Sequence, residues 1–401
     1  MNNQPTHYKT VITNIGTLLS GNLLEPIINA NTVISTNGLI TEIGSSHDIE
    51  LSGADLYIDA QGTTLMPGLI DNHTHPTLGE YSPRSGNHNW IWHCLQGGVT
   101  TMISAGEVHT PGLPSDRAGI KAMAIAAHKV FNNCRPSGVK MIAGSPLLNN
   151  DFQEEDFREL AAQGITQLGE VGIGPVKNAT KAAELVRYAK KHSIISMTHT
   201  GGPSIAASKR MGAEEILEIN PDIIGHINGG YTALPQKEIR CLCEGCRGAL
   251  EIVHNGNELA AIITLNYAKE LNQMDRIVIG TDSPAGCGVP ALGMLRTISL
   301  LSSLGNTPPE KVICFATGNT AKIRKLNTGL IELNKEADFV LASPPLGGAG
   351  KDVLSSLRLG DLPSITSIII DGQLIVRQSK NSPPAEVSPI ITLTSAWEIQ
   401  Q

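Results

Sequence analysis

Two histidines set two residues apart, His73 and His75, close the apolar run GLIDNHTH that begins at Gly68. On an extended strand, positions i and i+2 share a face, so both imidazoles can be aimed at one metal ion. A His-x-His pair by itself is a weak signal. It gains weight from Glu170 in LGEVGIG, His199 closing IISMTH, His226 in DIIGHI and Asp282 closing RIVIGTD, each at or near the end of a separate apolar run. Four imidazoles and two carboxylates suffice for two divalent ions with coordination positions left open for water. Glu170, flanked by apolar residues and glycines, is the expected bridge between the ions, with Glu107 in SAGEVHTPG as the alternative. Asp282 precedes Ser283-Pro284 and is expected to hold a metal through one oxygen and to carry a proton on the other, which makes it the candidate catalytic acid/base. A helix N-cap is its structural alternative.

Other polar residues could meet a substrate. Tyr81 and Arg84, in GEYSPRSG, could grip a substrate carboxylate, which Arg binds in a bidentate fashion; a surface ion pair is the alternative for Arg84. His109 could polarise a carbonyl or touch a ring, and Asn228 follows His226 closely enough to reach a substrate or to bond backbone only. His254, closing ALEIVH, and Cys287, in SPAGCG, are expected at the rim of the same pocket. Cys241-x-Cys243-x-x-Cys246 supplies three thiols where a closed zinc site needs four ligands, so packing along a helix is the expected role. His88 and His93, in NHNWIWHC, read as part of a helix covering the first two strands.

These residues need a scaffold that brings many strand ends together. Between Met66 and Lys325 eight β-rich apolar runs alternate with segments such as NATKAAELVRYAKKH and NELAAIITLNYAKEL. Eight such units in roughly 260 residues predict an α/β fold, a (β/α)8 TIM-like barrel, whose active site forms at the C-terminal ends of the strands. A doubly wound open sheet is the alternative, disfavoured because no Gly-rich phosphate fingerprint follows the first strand. The texture before and after is different. Short strands and tight turns run from Tyr8 to Ile58, with Asn37-Gly38 as a hairpin turn, and return near the C-terminus, with Asp371-Gly372 as another. The expected organisation is a small β-sandwich domain built from residues 1–66 and 326–401 beside a barrel of residues 67–325.

Composition narrows the partners. The chain has 401 residues, 41% of them hydrophobic and 17% charged, with 30 Lys+Arg against 37 Asp+Glu for a net charge of −7. That balance disfavours a phosphate-binding surface, so no nucleic-acid partner is expected. Five Phe, three Trp and six Tyr are too few for a base-stacking platform. No apolar run reaches the ~18 residues of a membrane span. Seven Cys and no basic-then-apolar leader at Met1–Thr10 predict reduced thiols in the cytoplasm.

MPGLIDNHTH, QGGVTTMIS and GTDSP together resemble the amidohydrolase superfamily of metal-dependent hydrolases, and the β pieces at both ends match its small accessory domain. LGEVGIG, MTHTGG, GHINGG and ATGNTAKIRKLNTGLIELNKEADFVL are most similar to the enamidases within it, which open the lactam 6-oxo-1,4,5,6-tetrahydronicotinate. The resemblance implies a barrel of the amidohydrolase type and hydrolysis of a cyclic amide C–N bond in a small carboxylated ring. It implies His73, His75 and Asp282 as ligands of one ion, His199 and His226 of the other, and Glu170 at the bridging position. It also implies a Zn2+/Fe2+ pair, or Zn2+ at both sites, and a homotetramer. Alternatives are a dihydropyrimidinase- or hydantoinase-like enzyme, a heterocycle aminohydrolase (deaminase), a peptide hydrolase, or a metal-free scaffold. The intact ligand set argues against the scaffold.

Overall fold

A computed structural model describes residues 8–79, 88–107, 110, 112–203, 209–230, 232–284 and 288–393, the side chains of 88 and 89 excepted. Tyr81, Arg84, His109 and Cys287 lie outside the described residues. The chain divides into two compact units, Met1–Ile70 with His93–Thr100 and Ile298–Gln401, and Asp71–Trp92 with Thr101–Thr297.

Each of the eight apolar runs contains a strand: Leu69–Thr74, Val99–Ser104, Lys140–Ile142, Gln167–Val171, Ile195–Thr198, Ile223–Ile224, Ala249–Val253 and Ile277–Gly280, here the first to eighth barrel strands. The first three form one sheet and the last five another, both in chain order, and the registered pairs are parallel. Two seams join the arcs. At one, the Gly169 amide donates to Pro146 O (3.0 Å) and the Glu170 amide to Ala105 O (2.9 Å). At the other, the His75 amide donates to Ser283 O (2.7 Å) and the Asp282 amide to His73 O (2.9 Å). The ring of strands is thus closed, in the manner of a TIM barrel. Side chains on both faces of the second, fourth, seventh and eighth strands are buried, which explains why these segments read as continuous apolar runs rather than as alternation.

Helices follow most strands, and their limits are written in the sequence. Ala179–Lys191 buries Ala182, Leu185, Val186 and Ala189, the i, i+3, i+4, i+7 stripe of one helix face. Asn178 caps it by accepting the Lys181 amide, and Asn257 caps Glu258–Glu270 by accepting that of Ala260. Such caps contribute about 1 kcal/mol each. The helix Gln236–Gly245 and its C-cap Cys246 carry the cysteine motif, with Cys243 and Cys246 buried and Cys241 exposed. Arg276 donates to the carbonyls of Cys243, Cys246 and Gly248 and so closes that helix end. Among the described residues these thiols join no metal-ligating group.

The unit that contains both chain ends holds two sheets. One has the order Ile390–Leu393, Leu56–Asp59, Lys9–Thr13, Thr32–Thr36, Leu39–Gly44; the other runs Gln373–Val376, Ser364–Ile370, Phe339–Ser343, Thr64–Pro67, Thr17–Leu19, Ile27–Ile28. Ile12, Val33 and Ile58 of the first share a buried cluster with Leu65, Phe339, Leu341 and Ile369 of the second. Asn37 (φ 51°) and Gly38 (φ 80°) turn one hairpin, and Asp371 (φ 51°) and Gly372 (φ 73°) turn another, both central residues left-handed as the expected turn type requires. Among the described residues no helix is long and apolar enough to cross a membrane.

Candidate metal centre

The first barrel strand ends Asp71-Asn72-His73-Thr74-His75, and its two-residue period turns both histidine rings to one side. His73 Nε2 and His75 Nε2 lie 3.2 Å apart. Each ring is oriented from behind. His73 donates its Nδ1–H to Glu251 Oε2 (2.7 Å), and His75 donates its own to Gly106 O (2.9 Å). Both acceptors lack a proton to give, so both histidines are held in the tautomer that turns an Nε2 lone pair toward the site. From the end of the eighth strand Asp282 brings Oδ1 to 3.2 Å from His75 Nε2 and 3.5 Å from His73 Nε2. Gly280 admits this approach, because a β-carbon there would stand 2.7 Å from the His73 β-carbon.

A second group forms across the ring. His226 Nε2 lies 2.8 Å from Glu170 Oε1, and His199 Nδ1, with no hydrogen-bond partner among the described residues, lies 3.5 Å from the same oxygen. His199 donates Nε2–H to Gly202 O (2.8 Å), which leaves Nδ1 as the acceptor facing the site. The other oxygen of Glu170 turns back to the first group, 3.6 Å from His75 Nε2 and 3.7 Å from His73 Nε2. One buried carboxylate therefore presents one oxygen to each histidine pair. The ligand atoms of His73, His75 and Asp282, and those of Glu170, His199 and His226, lie within 4.8 Å of one another in each triad.

The electrostatics ask for positive charge. Burial disfavours ionisation of Glu170, yet His73, His199 and His226 outweigh it and hold its carboxyl well below the usual range. Asp282 is held low in the same way by His73 and His75. Burial works against a charged His73, but Glu251, Glu170 and Asp282 raise it well above the ordinary imidazole value. Two imidazole lone pairs facing each other beside two carboxylates repel unless a proton or a cation sits among them. A nitrogen/oxygen donor set of this kind fits a first-row divalent ion. Two of the residues also have left-handed backbones, His226 at φ 28° and Asp282 at φ 62°, a strain of about 1–3 kcal/mol each that clusters at functional sites.

The remaining candidates fall around this centre. Glu107 belongs to neither triad; its Oε1 accepts the Gly144 amide (3.2 Å) and lies 3.5 Å from Ser104 Oγ, and burial pushes its carboxyl up to about 7. Glu170, rather than Glu107, is the carboxylate between the histidine pairs. Asn228 clamps the seventh strand end: its Oδ1 accepts the Val253 amide (2.9 Å) and its Nδ2 donates to Val253 O (2.9 Å). His254 is half-buried directly after the seventh strand, and burial together with Arg296 lowers its pKa. His93 bonds Asn381 through Nδ1 (2.8 Å) and belongs to neither triad. Sequence reasoning passed over two buried carboxylates. Asp71 accepts the Thr281 amide and hydroxyl at 2.8 and 2.6 Å, and burial pushes it up to about 6. Glu251, in the middle of the seventh strand, stands behind His73. Asp71 is two residues before His73 and could have been suspected from that spacing; Glu251 offered no such signal.

Comparison with known proteins places the chain in a family. Residues 237–375 match the profile of the amidohydrolase family. The chain is 41% identical over 378 residues to the enamidase of Eubacterium barkeri, covering 94% of this chain and 98% of that one. The crystal structure of enamidase, described as a member of the amidohydrolase superfamily, superposes with a TM-score of 0.92 at 41% identity, covering 96% of this chain and 100% of that one. A β-aspartyl dipeptidase from Fervidobacterium islandicum shares the fold at 18% identity, with a TM-score of 0.64 over 94% of this chain and 98% of that one.

Proposed function

The chain belongs to the amidohydrolase superfamily, and from that membership we propose that it is an enamidase-like hydrolase that opens the C–N bond of a cyclic amide. The family implies divalent metal ions, and the finer reading is a binuclear centre held by His73, His75, Glu170, His199, His226 and Asp282. The observation that carries it is Glu170, whose Oε2 faces the first histidine pair and Oε1 the second. Zn2+ with Fe2+, or Zn2+ at both positions, suits these ligands. Such ions, when bound, lower the pKa of a coordinated water and polarise a carbonyl oxygen.

The chain's own residues do the rest. Glu251 and Gly106 keep the His73 and His75 rings turned inward. Asp282, 14% exposed where the other ligands are closed off, is the carboxylate open to a substrate; it takes the proton of the attacking water at Oδ and hands it to the leaving ring nitrogen. We assign substrate contacts to Tyr81, Arg84, His109 and His254, with Arg84 the group for a ring carboxylate; Asn228, whose amide is held by the Val253 backbone, takes the backbone-bonding role instead. The substrate that identity to enamidase favours is a carboxylated six-membered lactam such as 6-oxo-1,4,5,6-tetrahydronicotinate. The two terminal sheets and their shared cluster support a small β-sandwich domain of residues 1–66 and 326–401, separate from a barrel domain of 67–325. A homotetramer in the cytoplasm completes the proposal, the free thiols of the described cysteines suiting a reducing compartment.

The test is elemental analysis of protein purified without added metal, with turnover of a panel: the carboxylated lactam, its decarboxylated analogue, dihydrouracil and hydantoin. About two ions per chain and preferential opening of the carboxylated lactam are expected, with loss of turnover after chelator dialysis and recovery on readdition of metal. Preference for dihydrouracil or hydantoin moves the specificity to the dihydropyrimidinase-like reading. One ion or none overturns the binuclear centre.

A further inference from the structure

Glu251 is fully buried within the seventh barrel strand, where an ionised group is costly unless donors meet its oxygens. Asn72 Nδ2 donates to Oε1. His73 donates Nδ1–H to Oε2 at 2.7 Å, and the backbone N–H of His226 donates to the same oxygen at 2.8 Å. His73 belongs to the first triad and His226 to the second. A single oxygen thus orients one ligand of each. It holds His73 as the Nδ1–H tautomer, which leaves Nε2 for an ion, and it ties down a His226 backbone at φ 28°, a conformation that a residue with a β-carbon keeps only under constraint.

We infer that Glu251 is a positioning residue that couples the two half-sites, so that weakening it loosens both ions together rather than the nearer one alone. The inference rests on the binuclear reading of the site. It assigns to Glu251 no contact with substrate. Its partners lie on the first strand and just beyond the sixth, so the carboxylate fixes the spacing between elements that contribute to different triads.

Apo-protein, prepared by chelator dialysis, would be titrated with Co2+ against a competing chromophoric chelator, for the wild type, Glu251→Gln and Asn72→Ala. Gln keeps the shape: its carbonyl can accept from His73 and His226 while its amide faces Asn72, whose own amide turns over to accept. What it removes is the charge. We expect both Co2+ ions to bind about 10–100-fold more weakly to Glu251→Gln, in line with the usual effect of losing such an outer partner, and the visible cobalt bands to shift. Unchanged affinity for both ions, or weakening confined to one, overturns the inference. If Glu251→Gln fails to fold, Asn72→Ala decides the matter, since it leaves the carboxylate in place and frees only its Oε1 side. A smaller, parallel loss at both ions supports the coupling, and wild-type affinity at either ion refutes it. Uptake of fewer than two Co2+ ions by the wild type overturns the binuclear reading itself, and the inference falls with it.

Discussion

Replacement of Glu170 by Gln is the sharpest perturbation of the centre, because it changes charge at nearly constant volume. The carboxylate is 2% exposed, with imidazole nitrogens of His226, His199, His75 and His73 at 2.8, 3.5, 3.6 and 3.7 Å. Any cation these nitrogens hold therefore feels the full carboxylate charge at short range. Two unit charges about 4 Å apart, at an effective dielectric of about 20, interact by about 4 kcal/mol, and a divalent ion feels about twice that, so about a thousand-fold in affinity is a lower bound. Glu170→Gln should thus emerge from purification with at most one ion per chain and with turnover reduced by about the same factor. The assay is metal content by mass spectrometry alongside ring-opening kinetics, with circular dichroism to establish that the barrel has folded. Glu107→Gln serves as the control: it replaces a buried carboxyl outside both triads at nearly constant volume, and it should keep both ions. Two ions retained in Glu170→Gln with turnover within about tenfold of wild type would refute the bridge, as would loss of metal in Glu107→Gln alone.

Asp282→Asn should retain most of its metal, since an amide oxygen can still ligate, while turnover falls by about 10²–10⁴; comparable turnover in the mutant and the wild type would remove Asp282 from proton transfer. Phe157→Ala empties a fully buried site between Phe152 and Tyr188, whose rings lie 5.8 and 6.3 Å away, and should lower stability by about 3–5 kcal/mol in urea unfolding without changing metal stoichiometry. Asp156 supplies a pH test. Burial raises its pKa, but the Gln153 amide, Lys121 and Arg117 outweigh that and hold it below the usual value. A carboxylate depressed by folding stabilises the native state above its unfolded pKa, and that stabilisation fades as pH falls through the folded value. Asp156→Asn should accordingly unfold more easily than wild type at pH 7, with the gap closing below about pH 4; a gap that widens in acid would contradict the assignment.

Much of the architecture is local in origin and so is legible in the chain. Periodicity placed each barrel strand and the helices Ala179–Lys191 and Glu258–Glu270, because a strand buried on both faces must be apolar throughout and a helix packed on one face must carry a stripe. Asn37-Gly38 and Asp371-Gly372 announced hairpins, since these residues reach left-handed geometry at low cost. The ligand types were equally open to reading: a His-x-His pair on a strand can face only one way.

The partners of those ligands were not. Glu251 sits in ALEIV, where a single acid looks like the solvent side of an alternating strand; only closure of the ring sets it behind His73 and under the His226 amide. Glu107 and Glu170 are both acids at strand ends, and which one faces the histidine pairs depends on how the strands are staggered around the barrel, a property no single segment contains. Asn228, close to a ligand in sequence, has its amide bonded to the Val253 backbone across the neighbouring strand end. The amino-acid sequence by itself determined which side chains could bind metal and which segments would carry them, because residue type and periodicity act over a few residues. Tertiary structure alone decided which carboxylate lies between the histidines and which stands behind them, because those relations join residues up to 178 positions apart through the register of a closed sheet.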